Sequence, residues 1–214
     1  RRKNLLDEIT LDKNISAFPL DISDQQETSN VFNNILQEFK DIDLCIFNSG
    51  IYNRKAEKEI DVDEISKTIK VNFIGTVNCV KTVEKYFKDK KKGKIALVSS
   101  IAAYRGLPKS SGYGPSKAAL TNFAESIYFD FKKFNVNVSL ICPGFIKTPM
   151  TDTNEFTMPF IKSSEFAAEK IYKGLLKKNK FEIAFPIELT SILKFLRILP
   201  YSLYMYLVDK LIKR

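Results

Sequence analysis

The sequence has no histidine and no tryptophan, and only three cysteines among its 214 residues. Without an imidazole it has no Ser-His-Asp hydrolysis, no Cys-His proteolysis and none of the common zinc catalysis. General acid or base work must fall to a carboxylate, Lys, Tyr or Cys. Cys45, Cys79 and Cys142 are far apart, each lies in an apolar run, and no CxxC occurs. That argues against a metal cage or redox pair and predicts buried, reduced thiols. No run of eighteen apolar residues occurs in the apolar C-terminal tail, so a membrane-spanning helix is not expected there.

What is present fits one soluble globular domain large enough to bury a continuous core: 44% hydrophobic and 28% charged residues. The net charge of +9 is concentrated in runs such as Lys88–Lys94 (KDKKKGK) and Lys177–Lys180 (KKNK). Such runs can bind nucleic acid or acidic lipid, or can be solvated loops. No aromatic interleaving or binding-module motif accompanies them, so no nucleic-acid partner is expected. A cytoplasmic protein, or one peripheral at a membrane surface, is expected.

Strand-like and helix-like segments alternate along the chain. Asn14–Leu20 reads as a strand ending at Asp21. Gln25–Lys40 places Val31, Phe32, Ile35, Leu36 and Phe39 at helical spacing. Asp43–Phe47 reads as a buried strand ending in Asn48-Ser49-Gly50. Asp63–Phe87 reads as a long helix, Lys94–Val98 as a strand, Tyr113–Phe134 as a helix and Val136–Ile141 as a strand. Glu165–Lys178 reads as a helix and Phe181–Phe185 as a last strand. The order implies βαβ units and an α/β fold: a doubly wound, Rossmann-like parallel sheet with helices on both faces. Near-continuous apolar strands suit burial on both sides, and a site is expected at their carboxyl ends.

Tyr113-Gly-Pro-Ser-Lys117 places a phenol and an ammonium one helical turn apart. The spacing alone is weak, because Tyr86/Lys90, Tyr128/Lys132 and Tyr206/Lys210 share it. Only Tyr113 has a serine thirteen residues upstream; the other three pairs have Phe73, Pro115 and Leu193 there. A free tyrosine, with a pKa of about 10, is a poor base at neutral pH. A neighbouring ammonium is expected to lower that value. The phenol can then exchange a proton with a substrate oxygen, and Ser100 can hydrogen-bond the same oxygen. Pro115 is tolerated in a first helical turn.

Asn48-Ser49-Gly50, Asn72, Ser100, Tyr113, Lys117 and Pro143-Gly144-Phe-Ile146-Lys-Thr148 together resemble the ordered motifs of the short-chain dehydrogenase/reductase family (NAG, VN, S, YxxxK and PGxxxT). The resemblance covers residues 21 to about 150. It implies an NAD(P)(H)-dependent oxidoreductase interconverting a carbonyl and an alcohol, with Tyr113 as acid/base. Tyr113 and Lys117 would also bind the cofactor, Lys117 at the nicotinamide ribose, Ser100 would orient substrate, and Asn72 would hold a water relay leading to Lys117. Asp21 and Ile22 would lie against the adenine. Asn48, Ser49 and Gly50 would line the adenine-ribose side. Pro143, Gly144, Ile146 and Thr148 would approach the nicotinamide carboxamide. Plainer readings stay open: a helix cap or kink at Asn72, a strand-end turn at Asn48–Gly50, a helix N-cap at Asp21 and an ordinary loop at Pro143-Gly144. Ser99 reads as structural.

The family's first strand and its glycine-rich turn are not in this sequence, and none of its eight glycines forms that motif. Because the chain starts with Arg at what reads as a helix start (Lys3–Ile9), an N-terminal segment is expected to be missing. Without the turn's backbone amides, cofactor binding by this stretch alone would be poor. Arg1 and Arg2 then fall where the family often carries Arg for the 2′-phosphate, so NADP(H) is expected over NAD(H). Two solvated arginines are the alternative.

Residues 1–186 read as the dehydrogenase domain and 187–214 as an apolar, basic helical extension broken by Pro200. The extension reads as a substrate lid, an interfacial helix on a membrane, or a dimer contact. The first two favour a hydrophobic or lipid-like substrate. The family commonly assembles through its two long helices, so a homodimer or homotetramer is expected. Two other functions stand beside the reductase: a non-catalytic cofactor-binding or scaffolding member of the fold, and a nucleotide-sugar epimerase or dehydratase, which usually needs a larger C-terminal region.

Overall fold

A computed structural model describes residues 6, 8, 10, 14–52, 59–152 and 157–212. Four strands, β1 (Leu44–Phe47), β2 (Gly93–Val98), β3 (Val136–Pro143) and β4 (Glu182–Phe185), form one sheet in the order β1-β2-β3-β4. All three pairings are parallel, with Phe47 opposite Leu97, Val98 opposite Ile141 and Pro143 opposite Phe185. Every strand therefore ends on the same side of the sheet.

Side-chain alternation along the strands divides the core in two. Ile95 and Leu97 of β2, with Val136, Val138, Leu140 and Cys142 of β3, belong to one cluster. Ala96 and Val98, with Ile141, Ile183 and Phe185, belong to the other. Helices α3 (Gly75–Lys90) and α4 (Tyr113–Lys132) close the first with Val80, Val83, Phe87, Leu120, Ala124 and Phe131. Helix α5 (Ser164–Leu176) closes the second with Ala167 and Leu175. Strands buried on both faces are why these sequences are continuous apolar runs rather than alternating ones.

The helix signals are visible residue by residue. Asp24 caps α1 (Gln25–Phe39), accepting a hydrogen bond from the Glu27 amide at 2.9 Å, and Lys40 ends it with a φ of 62°. Asp61 caps α2 (Val62–Ile69) through the Glu64 amide at 3.0 Å. From α2 the chain runs through one wider π turn, Lys70–Ile74, directly into α3. That turn carries Asn72, and π turns inside helices recur at functional sites. Two further helices follow β4: α6 (Ile187–Ile198) and α7 (Tyr201–Ile212), separated at Pro200 as its ring demands.

One expected strand is not formed. Asn14–Leu20 joins no ladder. A parallel strand needs a hydrogen-bonded neighbour, and among the described residues nothing pairs with the outer edge of β1, where Leu44 and Ile46 are 38% and 45% exposed. Asp21 is likewise not the helix cap. Its carboxylate accepts from the Ser23 amide and hydroxyl at 3.1 and 2.8 Å, forming a turn that leads to Asp24. Arg1, Arg2 and most of the helix read at Lys3–Ile9 lie outside the described residues. The three cysteines are free, and burial raises their thiols to pKa values of about 11 to 12, as inert thiols require.

Candidate active site

The parallel sheet delivers the site by its strand ends. Ser99 and Ser100 follow β2 directly. The Ser99 hydroxyl donates to the Lys117 carbonyl at 3.0 Å and shares a 2.8 Å hydrogen bond with Thr121, which locks the start of α4 onto the end of β2. Ser100 caps the short 3₁₀ turn Ile101–Ala103, its Oγ accepting from the Ala102 amide at 3.1 Å. Helix α4 begins at Tyr113, so Tyr113 and Lys117 occupy successive turns of one face. The Ser100 side chain lies near enough to the Tyr113 phenol to favour its ionised form. Tyr52, which the sequence reading missed, meets the Tyr113 ring edge to face at 5.4 Å between centroids.

Lys117 is 3% exposed. Its ammonium donates to the Val98 carbonyl at 2.7 Å and lies 5.8 Å from the centre of the Tyr113 ring. Burial lowers its pKa to about 8, with the nearby Cys142 thiol opposing slightly. Tyr113 departs from expectation: its pKa is raised, because burial outweighs the effect of Ser100. In this structure the phenol is a neutral acid at pH 7, not a phenolate made by Lys117.

Asn72, wholly buried, braces the site. Its Oδ1 accepts from the Ile51 amide at 2.7 Å, and its Nδ2 donates to the Ile51 carbonyl at 2.9 Å and to Ser116 Oγ at 3.0 Å. Ser116 in turn donates to the Tyr113 carbonyl at 2.7 Å. The loop after β1 and the first turn of α4 are thus tied through one amide. This loop carries Asn48, Ser49 and Gly50. A Cβ at Gly50 would stand 3.4 Å from Lys117 Nζ and 3.5 Å from Asn72 Oδ1, so glycine leaves the ammonium open on that side. Ser116 was legible as a small residue within the Tyr113–Lys117 motif, but its partner was not.

The other candidates follow β3 or precede α1. Gly144 donates its amide to the Phe185 carbonyl at 2.7 Å, and a Cβ there would come within 2.9 Å of Pro186, so the Pro143-Gly144 turn is held against β4 and α6. Ile146 bridges to Lys162. The Thr148 amide donates to Thr151 Oγ1 at 2.9 Å, and that hydroxyl donates to the Ile146 carbonyl at 2.6 Å, making Thr151 the organiser of this loop. Asp21 and Ile22 sit at the head of α3: the Ile22 carbonyl accepts from Asn78 at 3.0 Å and its side chain lies over Gly75.

The residues fit a nicotinamide ribose. An ammonium has three donors, and Lys117 makes one hydrogen bond, to Val98, among the described residues. Two donors remain for hydroxyl oxygens, next to a glycine that does not cover them. Among the described residues no group of three or more metal-ligating side chains occurs.

The family model described as short chain dehydrogenase matches residues 1–158. An uncharacterized oxidoreductase of Myxococcus xanthus is 30% identical over 190 residues, which are 89% of this chain and 75% of that protein. Dehydrogenase/reductase SDR family member 7 of Mus musculus is 31% identical over 163 residues, 76% of this chain but 48% of that protein. The chain thus spans about half of that longer relative. Among solved structures, ElxO with NADP bound matches with a TM-score of 0.75 at 24% identity, over 86% of this chain and 83% of that chain. A short chain dehydrogenase/reductase from Burkholderia phymatum in complex with NAD matches with a TM-score of 0.76 at 16% identity, over 90% and 78%. These likenesses establish the Rossmann-like fold, and the sequence matches establish the kinship: the chain belongs to the short-chain dehydrogenase family of oxidoreductases.

Proposed function

We propose that this protein uses NAD(P)(H) to interconvert a carbonyl and an alcohol, with Tyr113 as the proton donor and acceptor. The observation that carries this reading is the meeting of Ser100, Tyr113 and the buried Lys117 ammonium at the carboxyl end of β2. When bound, the nicotinamide supplies or receives the hydride. The chain's own residues handle everything else. Ser100 holds the substrate oxygen. Tyr113, whose phenol stays protonated at neutral pH, gives that oxygen its proton in the reducing direction and takes it back in the oxidising one. Lys117 holds the ribose hydroxyls. Asn72 keeps the loop that follows β1 against α4, and a water relay to Lys117 would start from there.

Preference for NADP(H) over NAD(H) follows from Arg1 and Arg2, whose guanidinium groups suit a 2′-phosphate; comparing kcat/KM for the two cofactors decides it. The central test is NADPH oxidation by the full-length protein over a panel of carbonyls, wild type against Tyr113→Phe. A variant that turns over as fast as the parent while binding NADPH equally well sinks the mechanism.

The tail supports an apolar substrate and a lipid surface. Ile187, Phe195 and Ile198 of α6 are 75%, 59% and 77% exposed, flanked by Lys194 and Arg197. A substrate reached from an anionic bilayer would account for this outward apolar face with basic flanks. Among the described residues no helix is long and apolar enough to cross a membrane. A homodimer or homotetramer built on the outer faces of α3 and α4 is the assembly the family suggests, and light scattering measures it.

A further inference from the structure

Three consecutive residues just beyond Ser100 grip the C-terminal helices. The Tyr104 hydroxyl donates to Glu182 Oε1 at 2.7 Å, and Glu182 is paired with Lys194 of α6. Arg105 Nη1 donates to the carbonyls of Leu196, Arg197 and Leu199 at 2.9, 3.2 and 2.7 Å. Its guanidinium carbon lies 4.1 Å from the ring centre of Tyr204 and 4.5 Å from that of Tyr201. The Gly106 carbonyl accepts from the Tyr204 hydroxyl at 2.5 Å, and Tyr204 is 1% exposed.

These contacts answer two local needs. The last carbonyls of a helix lack partners within it, and Arg105 supplies them for α6. The turn at Pro200 has to hold α7 against the body of the protein, and the guanidinium stacked beside two tyrosine rings does so. The same contacts act in the other direction. Ser100 leads into the turn Ile101–Ala103, where the Ala103 and Tyr104 amides donate back to the Ser100 and Ile101 carbonyls at 3.1 Å each. Ser100–Gly106 is therefore short and without slack, held by β2 at one end and by α6 and α7 at the other.

We propose that Arg105 is a positioning residue for Ser100, and that α6 and α7 act through it to buttress the segment presenting the Ser100 hydroxyl to the substrate oxygen. The inference rests on the reading of Ser100 and Tyr113 given above. Catalytic hydroxyls tolerate little displacement, since an error of about 1 Å can cost about a hundredfold in rate. Ile101 and Tyr104 anchor this segment in the core, and Arg105, next in the chain, ties it to the C-terminal helices. Here the contacts of Arg105 come from outside the sheet, ninety or more residues further along the chain.

The test is a double-mutant cycle in the full-length protein, read by single-turnover reduction of a carbonyl and by NADPH binding. Arg105→Ala is expected to lower the rate about 10- to 100-fold with NADPH affinity unchanged. Arg105→Lys is not expected to rescue it, because an ammonium has no planar face to stack beside two rings while it reaches the carbonyls. In a Ser100→Ala background, Arg105→Ala should cost no more than about twofold further, since contacting groups in one unit are non-additive. A full additional loss in that background, or an Arg105→Ala rate within about twofold of the parent, overturns the proposal while leaving the Tyr113 mechanism standing. A parent that turns over no carbonyl, or a Ser100→Ala variant as fast as the parent, sinks both. Tyr204→Phe is run through the same cycle: it removes one hydroxyl and keeps the ring beside Arg105, so it decides the matter if Arg105→Ala does not fold. A several-fold loss that disappears without the Ser100 hydroxyl supports the proposal; an additive one defeats it.

Discussion

The Lys117 ammonium is buried on α4 and donates to the Val98 carbonyl at the end of β2, at 2.7 Å. Burying a charge with one partner is unfavourable. The pKa depression from 10.5 to about 8 corresponds to roughly 3 kcal/mol at about 1.4 kcal/mol per unit. Below pH 8 both the folded and unfolded chains carry the proton, and the folded state bears the whole penalty. Between pH 8 and 10.5 the folded chain loses its proton first, so stability contributed at this site rises with pH. Lys117→Met should therefore raise the thermal midpoint of the cofactor-free protein at pH 7, by a few degrees once the lost hydrogen bond to Val98 is subtracted. The difference should shrink by pH 10.5, and turnover should be lost. Thermal unfolding of both proteins at pH 7 and 10.5 checks it; a variant less stable than the parent at pH 7 contradicts it.

Tyr113 and Ser100 give the kinetic prediction. Tyr113→Phe should lower kcat for carbonyl reduction about 10²- to 10⁴-fold. Ser100→Ala should lower it about 10²- to 10³-fold. Neither should change NADPH affinity much, because neither group is assigned to hold the cofactor alone. Because burial raises the Tyr113 pKa, the acid needed for reduction stays protonated through neutral pH. The chemical step of reduction should be level from pH 6 to 8 and decline only above the ordinary tyrosine value of about 10. A decline already at pH 7, in single-turnover measurements saturated with both ligands, would show a phenol that ionises early.

Asn72 is the brace whose removal should be felt as stability and local opening. Asn72→Ala strips the Ile51 amide and carbonyl and the Ser116 hydroxyl of their partner. Leaving partly buried groups unsatisfied costs about 1–3 kcal/mol each before relaxation and solvent entry, so a loss of about 2 kcal/mol or more is expected. Amide exchange at Ile51 should quicken more than exchange in β2. An Ile51 amide as protected in the variant as in the parent would mean another group holds the loop.

These residues also show what could be read beforehand. Tyr113, Lys117 and Ser100 were legible because the helix period places the first two together and a strand end delivers the third. The four strands were legible as apolar runs, since both faces of the sheet are covered. Asn14–Leu20 has the same apolar texture and forms no strand, because texture says nothing about whether a ladder neighbour is there. The raised pKa of Tyr113 was hidden for a similar reason: spacing reveals the ammonium, whereas burial depends on the packing of Tyr52 and the loops around it. Arg105 carried no signal at all. Its partners are backbone carbonyls at Leu196, Arg197 and Leu199, and carbonyls have no sequence.

The exposed face of α6 supplies the last prediction. Ile187, Phe195 and Ile198 fall within about 80° of arc at about 100° per residue, while Leu189 and Leu196 point into the protein. Tyr201 and Tyr206 of α7 are exposed as well, and Lys210 lies over the Tyr206 ring at 4.8 Å. Apolar side chains bordered by tyrosines and cations match the depth profile of an anionic bilayer surface. The full-length protein should pellet with phosphatidylserine-containing vesicles, less so in high salt as charge attraction is screened. Changing Ile187, Phe195 and Ile198 together to serine should abolish pelleting and leave the fold intact, because all three side chains are outside the core. Equal pelleting by the triple variant, or none by the parent, rules out this face as a lipid contact. A parent dimer that the triple variant splits into monomers would assign the face to a second copy of the chain instead.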